Sequence, residues 1–531
     1  MRTAAKLGLC ACLLSALPAQ SVRDLSGYLP ADTLVVLDFY DGEAVIEGVA
    51  GLVEPLPTGI GPQLRATLLL PLLTRFATGM SIDELLETVF PSQAALALLP
   101  GDRPYPVLLS RIEEPDSVRR LLGRLPGTVA WSLDDGILSV SDSAEHLGAL
   151  LSFRASGRGS LLSDRGYRRD RAEARPGKSV RFYVNLAALR PGPIWPGFDP
   201  AARVLFGPLV RSIDRADRID GRFDIEGDVL LLSGRLDGDL ASDPLEPDRL
   251  YAVGRATRSV PGMPEGAVAC VSLDRDLTEV FEHPDRWLNE DGTREVQTFL
   301  SVASLILGAG KEFDADLLGG LDLPITLFVA RTEPSEYAER PRVVLPAFTL
   351  VCPVVESSRR FENMLNRALG FLVAVANPER IENKEAPLVV RGGSRDGYRF
   401  QSVLYGDWEG PGEPPTEFGL SPSLLFAHDH LILSSTVEGA VEMARSLEKA
   451  EVRQVTGDFL KISGAVAADL IDANRRVLSV SRVLDEGERL AEAEFFIDTV
   501  AAVLRVLELE AVVAPDSGGM EFRFELRRVR R

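Results

Sequence analysis

The sequence predicts an α+β protein of two homologous domains, each with a largely antiparallel sheet packed by amphipathic helices. Three observations predict this class: strand-like runs joined by short turns, amphipathic helical runs between them, and the recurrence of the same series later in the chain. Short turns favour antiparallel neighbours, whereas a wound parallel sheet alternates strand and helix strictly. The order of elements therefore excludes a doubly wound parallel sheet.

The clearest hairpin signal in the first half is Asp134-Asp135-Gly136, which joins apolar runs at 128–133 and 137–141. An Asp-Gly pair is typical of a tight turn between two antiparallel strands. Upstream, Pro115 begins a predicted helix, because proline is well tolerated in the first helical turn. The other strands predicted in this half are 34–39, 93–99 and 105–111.

The same series recurs in the second half at a changing offset. Leu29-Pro30-Ala31-Asp32-Thr33 precedes an apolar strand, and so does Met263-Pro264-Glu265-Gly266-Ala267. The strand at 137–141 and the helix after it recur at 431–435. We therefore expect strand 34–39 to correspond to 268–273, and 137–141 to 431–435, in two copies of one fold.

The domain boundaries follow from this repeat. We predict an export signal at 1–20, a first repeat at 21–240, a linker at 241–258 and a second repeat at 259–531. The offset grows within the second repeat, which places an insertion at about 370–422. A segment that only one copy has is not required by the fold, so it either binds something or extends one sheet. Its aromatic side chains Tyr405, Trp408 and Phe418 form the candidate binding surface.

The N-terminus has the pattern of an export signal. Basic residues precede an uncharged run from Leu7 to Leu17, and a small-residue cleavage site follows it. The run is too short to span a bilayer, which takes about 20 residues. We expect a mature chain that begins between Ala19 and Val22, has no transmembrane anchor and is periplasmic or extracellular. Lipidation at Cys12 is the alternative.

The charge balance restricts the partners. The chain has 58 basic and 78 acidic residues and a formal net charge of -20. This excess of acid argues against binding to duplex nucleic acid, which needs Lys and Arg to neutralise phosphates, and disfavours adsorption to anionic membranes. Most basic residues are arginines, a bias typical of a high-GC bacterial genome, and we infer no function from it. The lysines are Lys6, Lys178, Lys311, Lys384, Lys449 and Lys461.

Two cysteines, Cys270 and Cys352, remain after removal of the signal, and both lie in apolar strand-like runs. We expect buried free thiols, since unpaired cysteine behaves as a small apolar residue. One disulfide in an oxidising compartment is the alternative.

Several segments resemble a family of exported bacterial proteins known as a domain of unknown function. The resemblance is carried by the opening LPADT with its strand, by SQAALALLPG, by VLLSRIEEPDSVRRLL and by WSLDDGILSVSDS. It implies export and an ordered α+β fold, often in two related copies. These motifs mark strand starts and turns, so the resemblance implies no catalytic residue. The second copy departs from the pattern at Pro264-Glu265-Gly266.

Sequence signatures of phosphate loops, nucleophile elbows and common zinc sites are absent. His428-Asp429-His430 is the one local constellation, because alternate strand residues share a face and both imidazoles would then reach one metal. A catalytic zinc normally has three protein ligands, so His428 and His430 alone are too few. In the repeat they align with Asp134-Asp135-Gly136, which favours a hairpin turn. We expect no cofactor.

The sequence therefore favours a non-catalytic exported protein that acts by binding or assembly in the cell envelope. Its partner is an envelope protein or an apolar ligand of unknown identity, and not nucleic acid. Two alternatives stay open: an exported hydrolase with a site between the halves, and a carrier that holds an apolar ligand in a cavity above about 300 Å³.

Overall fold

A computed structural model of the chain gives the fold of the greater part of the molecule. It describes residues 25–41, 44–45, 48, 93–123, 129–156, 159–163, 167, 179–189, 213, 215–237, 258–275, 277–287, 290–308, 311–331, 342–355, 359–406, 416–449, 453–516 and 519–529. The predicted export signal, residues 241–257 of the predicted linker, and Trp408 lie outside these residues. The chain divides into two compact units: Met1–Glu47 with Thr67–Ala188 is unit 1, and Gly48–Ala66 with Leu189–Arg531 is unit 2.

Unit 1 is built on an antiparallel sheet. Its described strands are β1 (Val35–Phe39), β2 (Ala94–Leu99), β3 (Tyr105–Arg111), β4 (Ala130–Asp134), β5 (Ile137–Ser141) and β6 (Ser179–Asn185). They pair in the order β6-β1-β2-β3-β5-β4. The described helices are α1 (Pro115–Leu122), α2 (Ala144–Ser156) and α3 (Leu186–Leu189), with 3₁₀ turns at Leu25–Tyr28 and Leu161–Ser163.

The turn between β4 and β5 shows why this sequence forms this hairpin. Asp135 and Gly136 have φ angles of 53° and 73°, the left-handed values that a two-residue turn requires and that Asp and Gly tolerate well. The core beside the hairpin is apolar, with Val36, Leu109 and Tyr167 buried in one cluster. The predicted helix at Pro115 and the five strands predicted in this half are confirmed.

Unit 2 contains a longer antiparallel sheet. Its described strands are β7 (Arg218–Glu226), β8 (Val229–Asp237), β9 (Arg258–Val260), β10 (Ala267–Leu273), β11 (Ile325–Arg331), β12 (Pro346–Pro353), β13 (Leu388–Arg395), β14 (Tyr398–Tyr405), β15 (Ser423–Ala427), β16 (His430–Ser434), β17 (Arg453–Val455), β18 (Asp458–Ser463), β19 (Leu507–Asp516) and β20 (Gly519–Arg528). The main sheet has the order β7-β8-β20-β19-β18-β10-β11-β12-β16-β15-β14-β13. Strands β9 and β17 form a separate pair.

Helices cover the sheet of unit 2. Those described are α4 (Leu277–Glu282), α5 (Pro284–Trp287), α6 (Glu290–Leu307), α7 (Arg359–Glu382), α8 (Val437–Lys449), α9 (Gly464–Ala473), α10 (Arg475–Glu486) and α11 (Leu490–Leu504). Short helical turns lie at Phe313–Leu317, Leu318–Gly320 and Thr416–Gly419. None of the helices within the described ranges is long and apolar enough to cross a membrane.

The predicted α+β class is confirmed, since both units combine antiparallel strands with packed helices. The order β4-β5-β3-β2-β1-β6 in unit 1 recurs in unit 2 as β15-β16-β12-β11-β10-β18. Strands 35–39 and 267–273 hold the same place in this order, as do 137–141 and 430–434. A common order of strands does not by itself establish common descent, and the duplication stays a prediction.

Candidate functional site: a groove beside helix α8

The two histidines singled out from the sequence lie at the turn between β15 and β16. His428 and Asp429 have φ angles of 50° and 57°, which confirms the hairpin turn that the repeat predicted. The Nδ1 atom of His430 lies 2.6 Å from the carbonyl oxygen of His428, to which it donates. His428 instead approaches Tyr398, whose hydroxyl is 3.4 Å from Nε2. Across the part of the chain that the structure describes, no group of three or more His, Cys, Asp or Glu side chains is placed to hold a metal ion.

The aromatic residues of the insertion are differently placed from our expectation. Phe418 is only 3% exposed, so the prediction that it contributes to an exposed binding surface is wrong. Its ring stacks on Tyr405 with centroids 5.1 Å apart, and the Arg380 guanidinium lies 4.9 Å from the centre of the Tyr405 ring. These contacts join three parts of the insertion to one another. Trp408 lies outside the described residues, so its part of the prediction is not addressed.

A groove of about 760 Å³ opens in unit 2, a volume within the range of small-molecule sites. One wall is the loop 261–265, which connects β9 to β10. The other wall is one face of α8, formed by Glu442, Arg445, Ser446 and Lys449. This spacing of three, four and seven residues places the four side chains on one side of the helix.

The floor of the groove is apolar. Val260, Cys270 and Phe459 line it and are all buried, and Met263 adds a partly buried side chain from the loop. Strands β10 and β18 bring Cys270 opposite Lys461, since the two residues are paired in the antiparallel register. An ammonium group is thereby placed beside an apolar surface, which is the arrangement that an amphiphilic ligand requires.

The groove lining carries four basic and two acidic side chains on a chain whose net charge is -20. Two of the cations are already paired with carboxylates. Arg445 bonds to Asp396 and, at 2.9 Å, to Glu442. Arg453 binds Glu510 through both terminal nitrogens, one of them at 2.7 Å, and its guanidinium lies 4.7 Å from the Phe459 ring centroid.

The other two cations, Lys449 and Lys461, form no ion pair with any residue in the described ranges. Lys449 ends α8, where a positive charge also complements the helix dipole. Lys461 lies within β18, opposite Glu510 of β19, but that carboxylate is bound by Arg453. These two lysines are the groups through which the groove would bind an anion.

The Cys270 thiol is part of the floor of this groove and is not a nucleophile. Burial raises its pKa to about 12, while the nearby charges of Lys461 and Arg453 act in the opposite direction. At neutral pH the sulfur is therefore protonated, and only the thiolate is reactive. Both Cys270 and Cys352 are buried and unpaired, as the sequence predicted.

Unit 1 has a second groove, of about 520 Å³. It is lined by Gly27 and Tyr28, which precede β1, and by the C-terminal part of α2, including Arg154. One side of this groove is the segment before β1, and the other is the helix after the β4–β5 hairpin. The groove of unit 2 likewise lies between the segment before β10 and the helix after the β15–β16 hairpin. The charge of the lining differs, because the hairpin turn contributes the carboxylates of Asp134 and Asp135. The single cation of this lining, Arg154, lies 4.7 Å from the Tyr28 ring centroid.

Sequence reasoning missed the groove of unit 2. Lys449 is on a helix and Lys461 on a strand, so no motif spacing connects them. The one available signal was the scarcity of lysine: two of the six lysines of an arginine-rich chain fall within thirteen residues of each other.

Comparison with known proteins indicates no function for the chain. No family model and no curated protein sequence matches the chain. Two of the solved structures that are similar are crystal forms I and III of TP0453, each with 11% sequence identity and a TM-score of 0.26. The matches cover 43% and 46% of this chain, and 82% and 90% of the TP0453 chains. The α+β class rests on the strands and helices described above, and the function is argued from the chain's own residues.

Proposed function

We propose that the protein is an exported, non-catalytic binding protein of the bacterial cell envelope, and that the groove of unit 2 holds a small amphiphilic anion. The observation that carries the proposal is the placement of two unpaired ammonium groups, on Lys449 and Lys461, at a groove with an apolar floor. A carboxylate or phosphate would bind the ammonium groups, while an acyl or aromatic portion would cover Phe459 and Met263.

Two further features support a binding role over a catalytic one. The thiol that faces the groove is held in its neutral form by burial, so it does not supply a nucleophile. The cations other than the two lysines are each fixed by carboxylates, which makes the walls rigid before a ligand arrives. A preformed site loses less conformational entropy on binding.

The binding proposal is tested with dansyl-labelled undecanoate, an anionic amphiphile, and with its uncharged amide. We expect saturable binding of the carboxylate, about tenfold weaker binding of the amide, and a similar loss in the double variant Lys449→Gln/Lys461→Gln, because a hydrogen bond to a charged group is worth about 1.5–3 kcal/mol. Lys384→Gln, which removes an exposed lysine that does not line the groove, is the matched control. Equal affinities of the double variant and the control would exclude this site.

Export is tested separately. The mature protein isolated from its native host should begin between Ala19 and Val22 and fractionate outside the cytoplasm. N-terminal sequencing of that material checks the prediction, and an intact Met1 in the cytosolic fraction contradicts it. A lipidated N-terminus at Cys12 would keep the envelope location but replace cleavage near Ala19.

A further inference from the structure

Lys461 has a carboxylate directly across the sheet from it, yet it does not pair with that carboxylate. The antiparallel register of β18 and β19 sets Lys461 opposite Glu510. Side chains at directly opposite positions share a face of the sheet, with Cβ atoms about 4.5–5.5 Å apart, so an ammonium and a carboxylate there are close enough to meet. Within the part of the chain that the structure describes, Lys461 nevertheless forms no ion pair. Another group must therefore hold the Glu510 carboxylate.

That group is Arg453, on β17. Its two terminal nitrogens bind the two carboxylate oxygens of Glu510, one of them at 2.7 Å. A planar guanidinium matches a carboxylate with two parallel hydrogen bonds, whereas an ammonium acts as a point charge, so arginine is the better partner for this carboxylate. The Arg453 guanidinium also lies 4.7 Å from the ring centroid of Phe459, on the groove floor. Both contacts keep the guanidinium beside Glu510.

The next carboxylate in the same row is occupied in the same way. Glu525 of β20 lies opposite Glu510, and it is bound by Arg527 at 2.6 Å and by Arg523 at 3.2 Å. The hydrogen bond from Arg527, supported by that from Arg523, holds the pKa of the Glu525 carboxyl below its ordinary value. Across β18, β19 and β20 the row therefore consists of one lysine and two glutamates, and arginines bind both glutamates.

We propose that Arg453 determines the charge of the ligand that the groove accepts: by binding Glu510, it keeps this carboxylate from neutralising Lys461 and makes the groove selective for anions. The proposal rests on the proposed function, because it takes Lys461 as a group that binds the ligand. Arg453 is a positioning residue, since it acts on the ligand through Glu510 and Lys461.

Arg453 is not itself the group that binds the anion. Both of its terminal nitrogens already donate to Glu510, and its guanidinium lies over the Phe459 ring. An anion that bound there would have to displace a carboxylate held by two charge-assisted hydrogen bonds. At Lys461 it would displace no acidic side chain of the described ranges. The anion is therefore expected at the lysine, while the arginine stays with Glu510.

The affinity of the dansyl-labelled undecanoate probe tests the assignment. Arg453→Gln should weaken binding about two- to fivefold, because Glu510 then pairs with Lys461 and the ligand must break a partly exposed ion pair. Glu510→Gln should bind at least as tightly as the wild type. The double variant Arg453→Gln/Glu510→Gln should return to wild-type affinity, since Lys461 is free again. A merely structural role of Arg453 predicts no such rescue, because removal of Glu510 does not restore the lost contact with Phe459.

The matched control for net charge is Arg523→Gln. It removes one positive charge from the same row of side chains, while Arg527 still binds Glu525. We expect wild-type affinity. A control that loses as much as Arg453→Gln would make the effect one of net charge and overturn the role of Arg453, and a double variant that stays weak would overturn it too.

The state of Lys461 is also measured without any ligand. Acetylation of the folded protein by sulfosuccinimidyl acetate, read by mass spectrometry, reports the reactivity of each lysine, and an opposite charge slows it by favouring the unreactive ammonium form. Acetylation of Lys461 should slow in Arg453→Gln and recover in the double variant, with Lys449 unchanged in both. Equal reactivity of Lys461 in wild type and Arg453→Gln overturns the proposal.

This second measurement separates the two ways of failing. If the wild type binds the probe through its lysines but Arg453→Gln binds equally well, the role of Arg453 is wrong and the proposed function stands. If the wild type binds no anionic probe while Lys461 responds as expected, the proposed function is wrong, and the assignment of a ligand charge falls with it.

Discussion

Helix α1 of unit 1 and helix α7 of unit 2 follow corresponding strands, β3 and β12, yet they differ threefold in length. Helix α1 has 8 residues, and its apolar side chains Val118 and Leu122 are buried. Helix α7 has 24 residues, and its final turns are followed by the hairpin β13–β14 before the chain reaches β15. In unit 1, the two turns of α1 are sufficient to pack against the sheet after β3.

The difference teaches which part of α7 serves the fold. The first half of α7 packs Phe361, Met364 and Leu365 onto the strands, as α1 does with its own two side chains. In the second half Leu372 and Val375 are 46% and 61% exposed, although Asn377 and Arg380 bond to the backbone of Leu388 and Ala386. The first half of α7 therefore serves the core, whereas its second half is fixed by polar contacts with the segment that follows it.

The thiol of Cys352 reports directly on the first half of α7, because it belongs to the cluster beneath Phe361, Met364 and Leu365. Burial raises its pKa from 9.0 to about 12, so at pH 8 the native thiolate fraction is about a thousandfold below that of the unfolded chain. In a Cys270→Ser background, we expect labelling by Ellman's reagent to be slower by at least that factor than in denaturant. Rapid labelling of Cys352 in the native protein would mean that the first half of α7 is no more tightly packed than its second half.

The same shift has a consequence for stability. A raised thiol pKa favours the protonated native state, so its contribution is present below pH 9 and is lost as the pH rises from 9 toward 12. Cys352→Ser should remove this part of the alkaline decline in the unfolding midpoint.

Three leucine-to-alanine changes sharpen the comparison between the two helices. Leu122→Ala in α1 and Leu365→Ala in the first half of α7 should each lower the free energy of unfolding by about 3 kcal/mol, since both leave a cavity in a packed core. Leu372→Ala, one heptad further along, should cost less than about 0.5 kcal/mol. Urea unfolding at low protein concentration measures all three. Equal costs at 365 and 372 would break the distinction between the halves.

The hydrogen bonds of Asn377 account for the order of the second half of α7. Asn377→Ala removes two bonds to the backbone of Leu388, and we expect a loss of about 1–2 kcal/mol. Amide exchange should rise over 370–382 and over β13, and remain unchanged in α8. Asn383→Ala, which changes an exposed asparagine directly after the end of α7 with no side-chain bond in the described structure, is the control. Unchanged exchange in Asn377→Ala would mean that the helix alone keeps this half ordered.

The sequence was sufficient for the parts of the fold that depend on local chemistry. Asp134-Asp135-Gly136 and His428-Asp429 both form the turns that the repeat indicated, because short polar residues and glycine tolerate the left-handed backbone there. The burial of Cys270 and Cys352 followed from the apolar strands that contain them.

What the sequence did not specify depends on contacts between distant segments. The apolar residues of α7 keep the same four–three spacing before and after Ala368. The pattern therefore does not distinguish the buried side chains of Phe361 and Leu365 from the exposed one of Leu372. Phe418 and Tyr405 read as exposed aromatics, but each is the other's packing partner across a segment of the insertion. Lys449 and Lys461 line one groove only because the fold brings the end of α8 and a strand of the sheet to it.

The smallest expected effect is that of Val375→Gln, which tests whether the second half of α7 belongs to the core. Val375 is 61% exposed, so a polar replacement there should change the free energy of unfolding by no more than about 0.5 kcal/mol. Urea unfolding measures this difference, and Val480→Gln, at a 45% exposed position of α10, should cost equally little. If Val375→Gln destabilises the protein by several kcal/mol, the outward face of α7 is part of the core of unit 2, and α1 and α7 differ in length alone.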